Sequence, residues 1–423
     1  MSPLRIPGVD QDQTPYAEQF EAIKKRARTR CAPKVTAGDT KAIERDIDAV
    51  KRPAPAALFA LTGRSEDTLP FAARLFEEFG VKQDGSRLVT SLIPKAQRAL
   101  VQRAASLGDI LVGKFNPALC WSDACGNNRV DIAVAAFDVT ADGVPQLLAG
   151  YESRRELLAG PRDGQPHRSV GSLSKALMVP LLVEAGITRV CPSPWASLHD
   201  ADGSGGHECL TDRDYLSVED ALARSSNLAI ADGLRKIDER VLRDHLALAG
   251  YTIHGDLTHP QLVRSLITGD KVSIAPLPLI RDYVGLLFAP GGATRPTIAG
   301  EADPATTIAF GPRFNADIRR KSRAIMAAPL FNRHGTLLSA RKALEAAGCK
   351  DIFGKSGTTD SNDPANFRDK LVMVGGHCNG RDIIAFALVG SPDINQPVGN
   401  VTTSQVAALA TDAITLVLKK GDK

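Results

Sequence analysis

The stretch DIFGKSGTTDSNDPANFRDKLVMVGGHCNGRDIIAFALVG, residues 351–390, decides the fold class. It contains three strand-like segments, and the last two meet at Asn379-Gly380, the strongest short-range signal for a β-hairpin. Two more strand-like segments, VDIAVAAFDVT (130–140) and VPQLLAGYES (144–153), lie far upstream. They are joined at Ala141-Asp142-Gly143, which also predicts a hairpin.

The residues between these strands have mainly helical periodicity, as in SVEDALARSSNLAIADGL, 217–234. An amphipathic helix, TSQVAALATDAITLVLKK (403–420), closes the chain. Strands near both ends with helices between them predict an α+β fold, in which one antiparallel sheet is assembled from distant segments and the closing helix covers one face. Residues 1–85 predict a small, charged, mainly helical region without a catalytic motif, and residues 86–423 form the main domain.

The composition is that of an ordinary globular protein, with 43% hydrophobic residues and a net charge of +4. The basic runs are short and lack interleaved aromatic residues, so no nucleic-acid partner is predicted. No run of about 18 apolar residues and no apolar signal segment is present. The chain is therefore either cytosolic or a segment whose native membrane anchor lies upstream.

Seven cysteines comprise two close pairs in loop-like segments and three others: Cys120 with Cys125, Cys191 with Cys209, and Cys31, Cys349 and Cys378. Each close pair is a possible disulfide in an oxidising compartment. An odd total leaves at least one thiol unpaired in a monomer.

A zinc site is the alternative interpretation of one cysteine pair. His207, Glu208 and Cys209 lie together and could act with Cys191. Their spacing matches no common zinc-binding pattern, so no metal is expected.

Three short motifs follow one another along the chain: Ser172-Leu-Ser-Lys175, Ser225-Ser-Asn227 and Lys355-Ser-Gly357-Thr358. Each is weak alone, but together they indicate a serine acyl-transfer site. Residues i and i+3 share one helix face, so the Ser172 hydroxyl and the Lys175 amine can touch. A serine hydroxyl is a poor nucleophile until a base removes its proton. Lys175 can serve only as the neutral amine, which requires burial or nearby cations.

The other motif residues have complementary predicted roles. Lys355 supplies positive charge that lowers the pKa of Lys175 and attracts an anionic substrate. Ser225 and Asn227, at a turn between helices, shuttle a proton to the leaving amine and hold the substrate amide. A side chain at Gly357 would obstruct a substrate lying along the edge strand. The backbone N–H groups of Ser172 and Thr358 form an oxyanion hole.

A phosphate-binding loop is a competing interpretation of the third motif, because Gly354-Lys355-Ser356 matches the end of a Walker A sequence. That motif requires four residues between its first glycine and Gly-Lys-Ser. Five separate Gly348 from Gly354, and the preceding segment is helix-like. A nucleotide site is therefore disfavoured.

With these motifs and their flanking segments, the chain resembles the transpeptidase domain of penicillin-binding proteins, most closely the bifunctional, class A type. RLVTSLIPKAQRALVQRA (87–104) is similar to the segment that leads into such domains. SIAPLPLIRDYVGLLFAPGGATRPT (273–297) is similar to the segment after the second motif, and FGKSGTTDSNDPANFRDKLVMVGG (353–376) to the third-motif strand and its neighbour. The resemblance covers about residues 87–423.

The resemblance implies a five-stranded antiparallel sheet flanked by helices and a D,D-transpeptidase without cofactor or metal. Ser172 would be acylated by D-Ala-D-Ala stem peptides of peptidoglycan and by β-lactam antibiotics, with Lys175 as its base. The resemblance assigns Ser225, Asn227 and Lys355 to catalysis and the next four positions to substrate binding: Ser356, Gly357, Thr358 and Thr359. Thr358 would bind the substrate carboxylate. The implied location is the periplasm or the extracytoplasmic face of the inner membrane, with an anchor upstream.

Three other functions fit the same motifs. Water as the acyl acceptor would make the protein a D,D-carboxypeptidase. A serine β-lactamase would need an activated water for rapid deacylation, and no segment resembles the glutamate-bearing loop of class A enzymes. A non-catalytic scaffold could retain the fold, although the intact hydroxyl, lysine and asparagine residues of the motifs disfavour it.

The sequence departs from the family pattern in two places. Pro180 lies well past the first turn of the Ser172 helix, where a proline removes a hydrogen bond and bends the helix. No glycosyltransferase domain is recognisable upstream. A second Ser-x-x-Lys, Ser339-Ala-Arg-Lys342, follows the second motif and so has the wrong order. It is interpreted as an exposed helix face.

Overall fold

The computed structural model describes ten segments of the chain: residues 91–113, 130–153, 157–158, 170–192, 209, 211–269, 271–298, 313–359, 369–390 and 401–419. The predicted N-terminal region, 1–85, lies outside these residues. So do four individually predicted positions: Cys120, Cys125, His207 and Glu208.

The secondary structure alternates a few long strands with many helices. In chain order the elements are α1 (Pro94–Gly113), β1 (Asp131–Val139), β2 (Pro145–Glu152), a 3-10 turn (Gly171–Leu173), α2 (Ser174–Glu184), β3 (Arg189–Val190), a 3-10 turn (Asp212–Asp214), β4 (Leu216–Ser217), α3 (Val218–Ala223), α4 (Asn227–Arg235), α5 (Glu239–Leu248), β5 (Thr252–Ile253), α6 (His259–Thr268), β6 (Val272–Ser273), α7 (Pro276–Leu287), α8 (Ala316–Phe331), α9 (Leu338–Ala346), β7 (Cys349–Thr358), β8 (Asp369–Cys378), β9 (Arg381–Gly390) and α10 (Thr403–Leu418).

The main sheet has five antiparallel strands in the order β2-β1-β9-β8-β7. The N-terminal hairpin thus pairs with the last strand of the chain, and β7 forms an edge. The expected α+β class and the five-stranded antiparallel sheet are confirmed. The strands end where the turn residues predict, at Asp142-Gly143 and at Asn379-Gly380.

Both faces of the sheet are covered, which explains why its strands are almost continuously apolar. One face packs against α2 and the central helices through side chains such as Phe353, Met373 and Phe386. The other packs against α1 and α10 through side chains such as Val372 and Val374. Alternate residues of one strand therefore enter two different cores, as the twofold period of a strand requires.

Two small ribbons interrupt the helical middle of the chain. Strand β3 pairs with β4, and β5 pairs with β6, each over only two residues. The sequence does not predict them, because two residues are too few to display an alternating pattern.

Two disulfides are present in the described residues. One joins Cys191 to Cys209, a pair suggested by the loop between them. Both sulfurs are therefore unavailable as the thiolates of a zinc site, and no metal-binding cluster occurs among the described residues. The other joins Cys349 to Cys378, two cysteines that the sequence leaves unpaired. They lie directly opposite each other in the β7–β8 register.

Removal of the Cys349–Cys378 disulfide should destabilise the fold without moving the strands. The bond closes a loop with a sequence separation of 29 residues. Replacing both cysteines by alanine should therefore lower the free energy of unfolding by about 3 kcal/mol, because the unfolded chain gains conformational entropy. Urea denaturation followed by circular dichroism measures this loss. An unchanged midpoint, or free thiols at both positions in the non-reduced protein, would contradict the pairing.

Candidate active site

Ser172 lies in the 3-10 turn directly before α2, at the free edge of β7. The neighbouring Gly171 has a φ of 50°, and a Cβ on it would lie 2.6 Å from the carbonyl oxygen of Thr358. Glycine therefore allows the turn to contact the end of the strand. Ser172 is partly exposed, whereas Gly171 and Leu173 are buried. The Tyr283 hydroxyl of α7 donates to the Leu173 carbonyl at 2.8 Å and fixes the turn from behind.

Lys175, the second residue of α2, has a fully buried side chain directed at the second motif. Its amine donates to the Ser225 carbonyl at 2.7 Å, is 3.4 Å from the Ser225 hydroxyl and also donates to Asn227 Oδ1. In the described residues no hydrogen bond joins it to the Ser172 hydroxyl. Catalytic hydrogen bonds are often completed only when a substrate is bound.

The second motif occupies the tight turn between α3 and α4. Ser225 has a φ of 55°, a left-handed conformation that is uncommon for a residue with a side chain. Ser226 caps α4, since its hydroxyl accepts from the N–H of Ala229. Asn227, the first residue of that helix, is exposed. The turn thereby presents the Ser225 hydroxyl and the Asn227 amide on the same side.

Lys355 extends from β7 to the same serine hydroxyl. Its amine donates to Ser225 Oγ at 2.8 Å and to the Ser356 carbonyl at 2.6 Å. Helix α2, the α3–α4 turn and β7 thus each contribute one group to a single hydrogen-bonded cluster: Lys175, Ser225 and Lys355.

Burial determines the charge of this cluster. Both lysine side chains are 0% exposed. Desolvation lowers the pKa of Lys175 to about 7, and desolvation together with repulsion from Lys175 holds the pKa of Lys355 well below its ordinary value. A neutral amine is therefore accessible near neutral pH at this cluster.

The backbone of β7 directs one N–H toward Ser172. The Thr359 N–H donates to the Asp369 carbonyl of β8 at 3.0 Å. Because successive N–H groups of a strand point to opposite sides, the Thr358 N–H points to the free edge, beside Gly171. The two predicted oxyanion donors, the N–H groups of Ser172 and Thr358, thus belong to contacting segments.

Close packing explains the glycine at position 357, and the sequence does not reveal this packing. A Cβ at this position would lie 2.9 Å from the Val170 carbonyl oxygen and 3.2 Å from Leu173 Cγ. The residue is glycine because β7 packs against the segment that carries Ser172, whatever the substrate requires.

The hydroxyls of the third motif have separate partners. Ser356 donates to Thr336 Oγ1 at 2.7 Å. Thr358 Oγ1 accepts from Lys370 Nζ at 3.0 Å. Thr359 Oγ1 accepts from the Asp369 N–H at 2.7 Å and is buried, so its hydroxyl joins β7 to β8.

Pro180 lies inside α2 and is buried. Having no N–H, it leaves the Ala176 carbonyl without its helical donor. At the next carbonyl, Leu177 O, a donor comes from outside the helix: His245 Nε2 lies 2.9 Å away. Arg313 lies 3.4 Å from His245 Nδ1 and 3.6 Å from Glu184, the last residue of α2.

Several residues of the site carry no sequence signal. Tyr283, Thr336, Lys370 and His245 reach it from separate parts of the chain, and each makes a tertiary contact there. The second Ser-x-x-Lys, by contrast, lies on α9 with Ser339 and Lys342 exposed, away from this cluster.

Substitution of Gly171 should be more damaging than substitution of Gly186, which follows the other end of α2. Both have positive φ, but a Cβ at Gly186 meets nothing within 4 Å. Gly186→Ala should cost about 1–2 kcal/mol of stability from backbone strain alone. Gly171→Ala should cost roughly 1–3 kcal/mol more, because the new Cβ collides with Thr358. Denaturant unfolding of both variants tests this, and equal losses would contradict the close contact.

Comparison with known proteins identifies the fold. No protein-family model matches the sequence, and no curated protein does. A peptidoglycan glycosyltransferase from Burkholderia ambifaria is similar in structure, with 16% identity and a TM-score of 0.53 over 77% of this chain and 96% of that one. The TP domain of penicillin-binding protein 3 from Burkholderia pseudomallei has 16% identity and a TM-score of 0.55 over 77% and 93%.

The penicillin-binding protein PonA1 from Mycobacterium tuberculosis is also similar, with 18% identity and a TM-score of 0.53 over 83% of this chain and 90% of that one. Such low identities establish the fold and not the activity. The predicted resemblance is confirmed at that level: the chain has the fold of penicillin-binding protein transpeptidase domains.

Proposed function

We propose that the protein is a serine D,D-transpeptidase that cross-links peptidoglycan through an acyl-enzyme on Ser172. The observation that carries the proposal is the convergence of two buried lysine amines on the Ser225 hydroxyl, beside the turn that holds Ser172. Burial of a lysine amine without a carboxylate partner costs stability, and it makes chemical sense where a neutral amine is needed as a base.

In the proposed acylation, neutral Lys175 takes the proton of the Ser172 hydroxyl as its oxygen attacks the carbonyl of the penultimate D-Ala. The developing oxyanion accepts hydrogen bonds from the backbone N–H groups of Ser172 and Thr358. Each such donor contributes about 3 kcal/mol of transition-state stabilisation in serine hydrolases.

Collapse of the tetrahedral intermediate then requires a proton on the leaving nitrogen. Lys175 returns its proton through the Ser225 hydroxyl, which accepts from Lys355 and keeps its own hydrogen free to donate. Terminal D-Ala departs, and the ester on Ser172 remains. An amine acceptor attacks the ester and loses its proton to Lys175, which then protonates the departing Ser172 oxygen. The new amide leaves, and the serine hydroxyl and the neutral lysine are regenerated.

The site of action would be outside the cytoplasmic membrane, where peptidoglycan lies. Two disulfides agree with an oxidising compartment. No helix in the described part of the chain has the length and apolar character needed to cross a bilayer. The location in the periplasm, or on the outer face of the inner membrane, remains part of the proposal.

A fluorescent penicillin tests the proposal directly. Wild type should form a stable adduct that mass spectrometry maps to Ser172, and Ser172→Ala should remain unlabelled. Ser339→Ala is the matched control, because it removes the other serine of the same motif and should label normally. Labelling of Ser172→Ala would refute the site.

The remaining outcomes separate the alternative functions. Rapid turnover of the penicillin indicates a serine β-lactamase, and no labelling of folded wild type indicates a scaffold. A stem peptide incubated with and without an amine acceptor distinguishes a transpeptidase, which forms the cross-linked product, from a carboxypeptidase, which releases D-Ala to water.

Acylation should depend on pH through Lys175. Since its pKa is lowered to about 7, the amine is protonated and inactive below that value. The second-order acylation rate constant should therefore rise about tenfold per pH unit up to about pH 7 and then level off. Stopped-flow labelling measures the profile, with circular dichroism to confirm folding at each pH. A profile that still rises steeply near pH 10 would exclude a depressed lysine as the base.

A further inference from the structure

We infer that Thr336, in the loop between α8 and α9 (residues 332–337), is a positioning residue that fixes the second motif relative to the third. The loop contacts both α3, the helix that precedes Ser225, and β7, the strand that carries Lys355. It therefore controls the separation of the Ser225 hydroxyl and the Lys355 amine. The inference deepens the proposed function and rests on it, and it assigns a role to a segment that contains none of the three motifs.

On one side the loop is attached to α3, which ends at Ala223, shortly before Ser225. The Thr336 N–H donates to the Ala223 carbonyl at 3.2 Å. The last carbonyls of a helix have no helical donor, so this bond satisfies one of them. Asn332 Nδ2 donates to Asp220 Oδ1, in the first turn of α3, at 2.6 Å. The loop thus holds α3 in its first turn and at its last residue.

On the other side the loop packs against β7 at the two residues that flank Lys355. Ser356 Oγ lies 2.7 Å from Thr336 Oγ1. A Cβ at Gly354 would lie 2.8 Å from Cδ1 of the buried Leu337. Alternate residues of a strand share one face, so Gly354 and Ser356 face the loop while Lys355 projects the opposite way, to the second motif. The loop therefore supports the strand from behind the lysine.

The loop itself is tightly folded. The Leu337 N–H donates to the Pro329 carbonyl at 2.9 Å, and the Gly335 N–H donates to the Asn332 carbonyl at 2.7 Å. A Cβ on Gly335 would collide with the Pro329 carbonyl oxygen, so glycine allows the chain to return this closely to the end of α8. The His334 N–H donates to Asn332 Oδ1 at 2.9 Å. Because its own hydrogen bonds close it, the loop is a spacer of fixed size between α3 and β7.

The separation of α3 and β7 matters because they share one contact of the proposed mechanism. Lys355 Nζ donates to Ser225 Oγ at 2.8 Å, and this hydroxyl passes the proton of Lys175 to the leaving nitrogen. A displacement of about 1 Å in such an arrangement can lower a rate about 100-fold. Loss of the Thr336 hydroxyl would leave the buried Ser356 hydroxyl without this partner and release β7 beside Lys355.

Acylation by a fluorescent penicillin measures the effect. Thr336→Val keeps the backbone N–H and removes the hydroxyl, so the second-order acylation rate constant should fall about tenfold. Thr336→Ser, which keeps the hydroxyl, should retain most of the wild-type rate. Thr415→Val is the matched control, because the Thr415 hydroxyl donates to the Thr411 carbonyl within α10. It should react like wild type, and circular dichroism confirms that each variant is folded.

A double-mutant cycle tests whether Thr336 acts through Ser356. In Ser356→Ala the partner hydroxyl is already missing, so adding Thr336→Val should lower the rate constant less than about twofold further. The inference is overturned by the full tenfold loss in both backgrounds, by a folded Thr336→Val as fast as wild type, or by a Thr336→Ser as slow as Thr336→Val.

A second variant covers the case in which Thr336→Val does not fold. Asn332→Ala releases the other end of the loop from Asp220. It should lower the acylation rate constant about fivefold, since the first turn of α3 loses its attachment to the loop. An unchanged rate in folded Asn332→Ala would overturn the inference.

A measurement without acylation separates failure of this inference from failure of the proposed function. In a Ser172→Ala background, carbon NMR of the Lys355 side chain, assigned with Lys355→Arg, follows its pKa, which burial and the charge of Lys175 hold well below the ordinary value. Thr336→Val should raise this pKa by about half a unit or more, because a loosened contact admits water to the amine. Thr336→Ser should not.

The two results of this titration are decisive whatever Ser172 does. A raised pKa of Lys355 in Thr336→Val supports the positioning role even if wild type forms no acyl-enzyme. An unchanged pKa in the folded variant would refute the role even if Ser172 reacts with penicillin.

Discussion

The central constraint of this structure is the burial of two lysine amines around one serine hydroxyl. Lys175 and Lys355 are fully buried, and both contact Ser225. Two ammonium groups could not share such a place, because desolvation and mutual repulsion both oppose the charge. The fold therefore has to supply hydrogen-bond acceptors for neutral or singly charged amines, and it does so from the carbonyl and side chain of Ser225, the carbonyl of Ser356 and the amide of Asn227.

That requirement links parts of the chain that are distant in sequence. The edge position of β7 leaves one side of the strand free, so the turn at Gly171 can contact Thr358 and a substrate can lie beside both. A central strand could not do this, because both of its edges would already be paired. In the sheet order, the N-terminal hairpin pairs with β9 on one side, and β7 is left at the opposite edge.

The sequence predicts those features that depend on local pattern. The five strands, the Asn379-Gly380 hairpin and the order of the three motifs follow from short apolar runs, turn residues and spacing. The Cys349–Cys378 bond does not, because it depends on the β7–β8 register. The same holds for Lys370 opposite Thr358. The reason for a glycine at position 357 differs between sequence and structure. The sequence suggests that a side chain there would obstruct the substrate, whereas the structure shows that it would collide with Val170.

Around Pro180, the helix that carries Lys175, the proposed base, is held in place by side chains from other elements. His245 Nδ1 faces Arg313, which only donates, so this nitrogen accepts and the ring proton lies on Nε2, where it donates to the Leu177 carbonyl. Burial and the charge of Arg313 lower the pKa of His245 to about 3, so the ring stays neutral.

Helix α2 and the 3-10 turn before it are thereby held at three points, Leu173, Leu177 and Glu184, by Tyr283, His245 and Arg313. Spacings of four and seven residues place these points on one side of the helix. Lys175, two residues beyond the first of them, lies on the opposite side, toward Ser225. A proline that would loosen an isolated helix is tolerated here, because donors from other elements secure the turn before it. These contacts also hold Lys175 against Ser225.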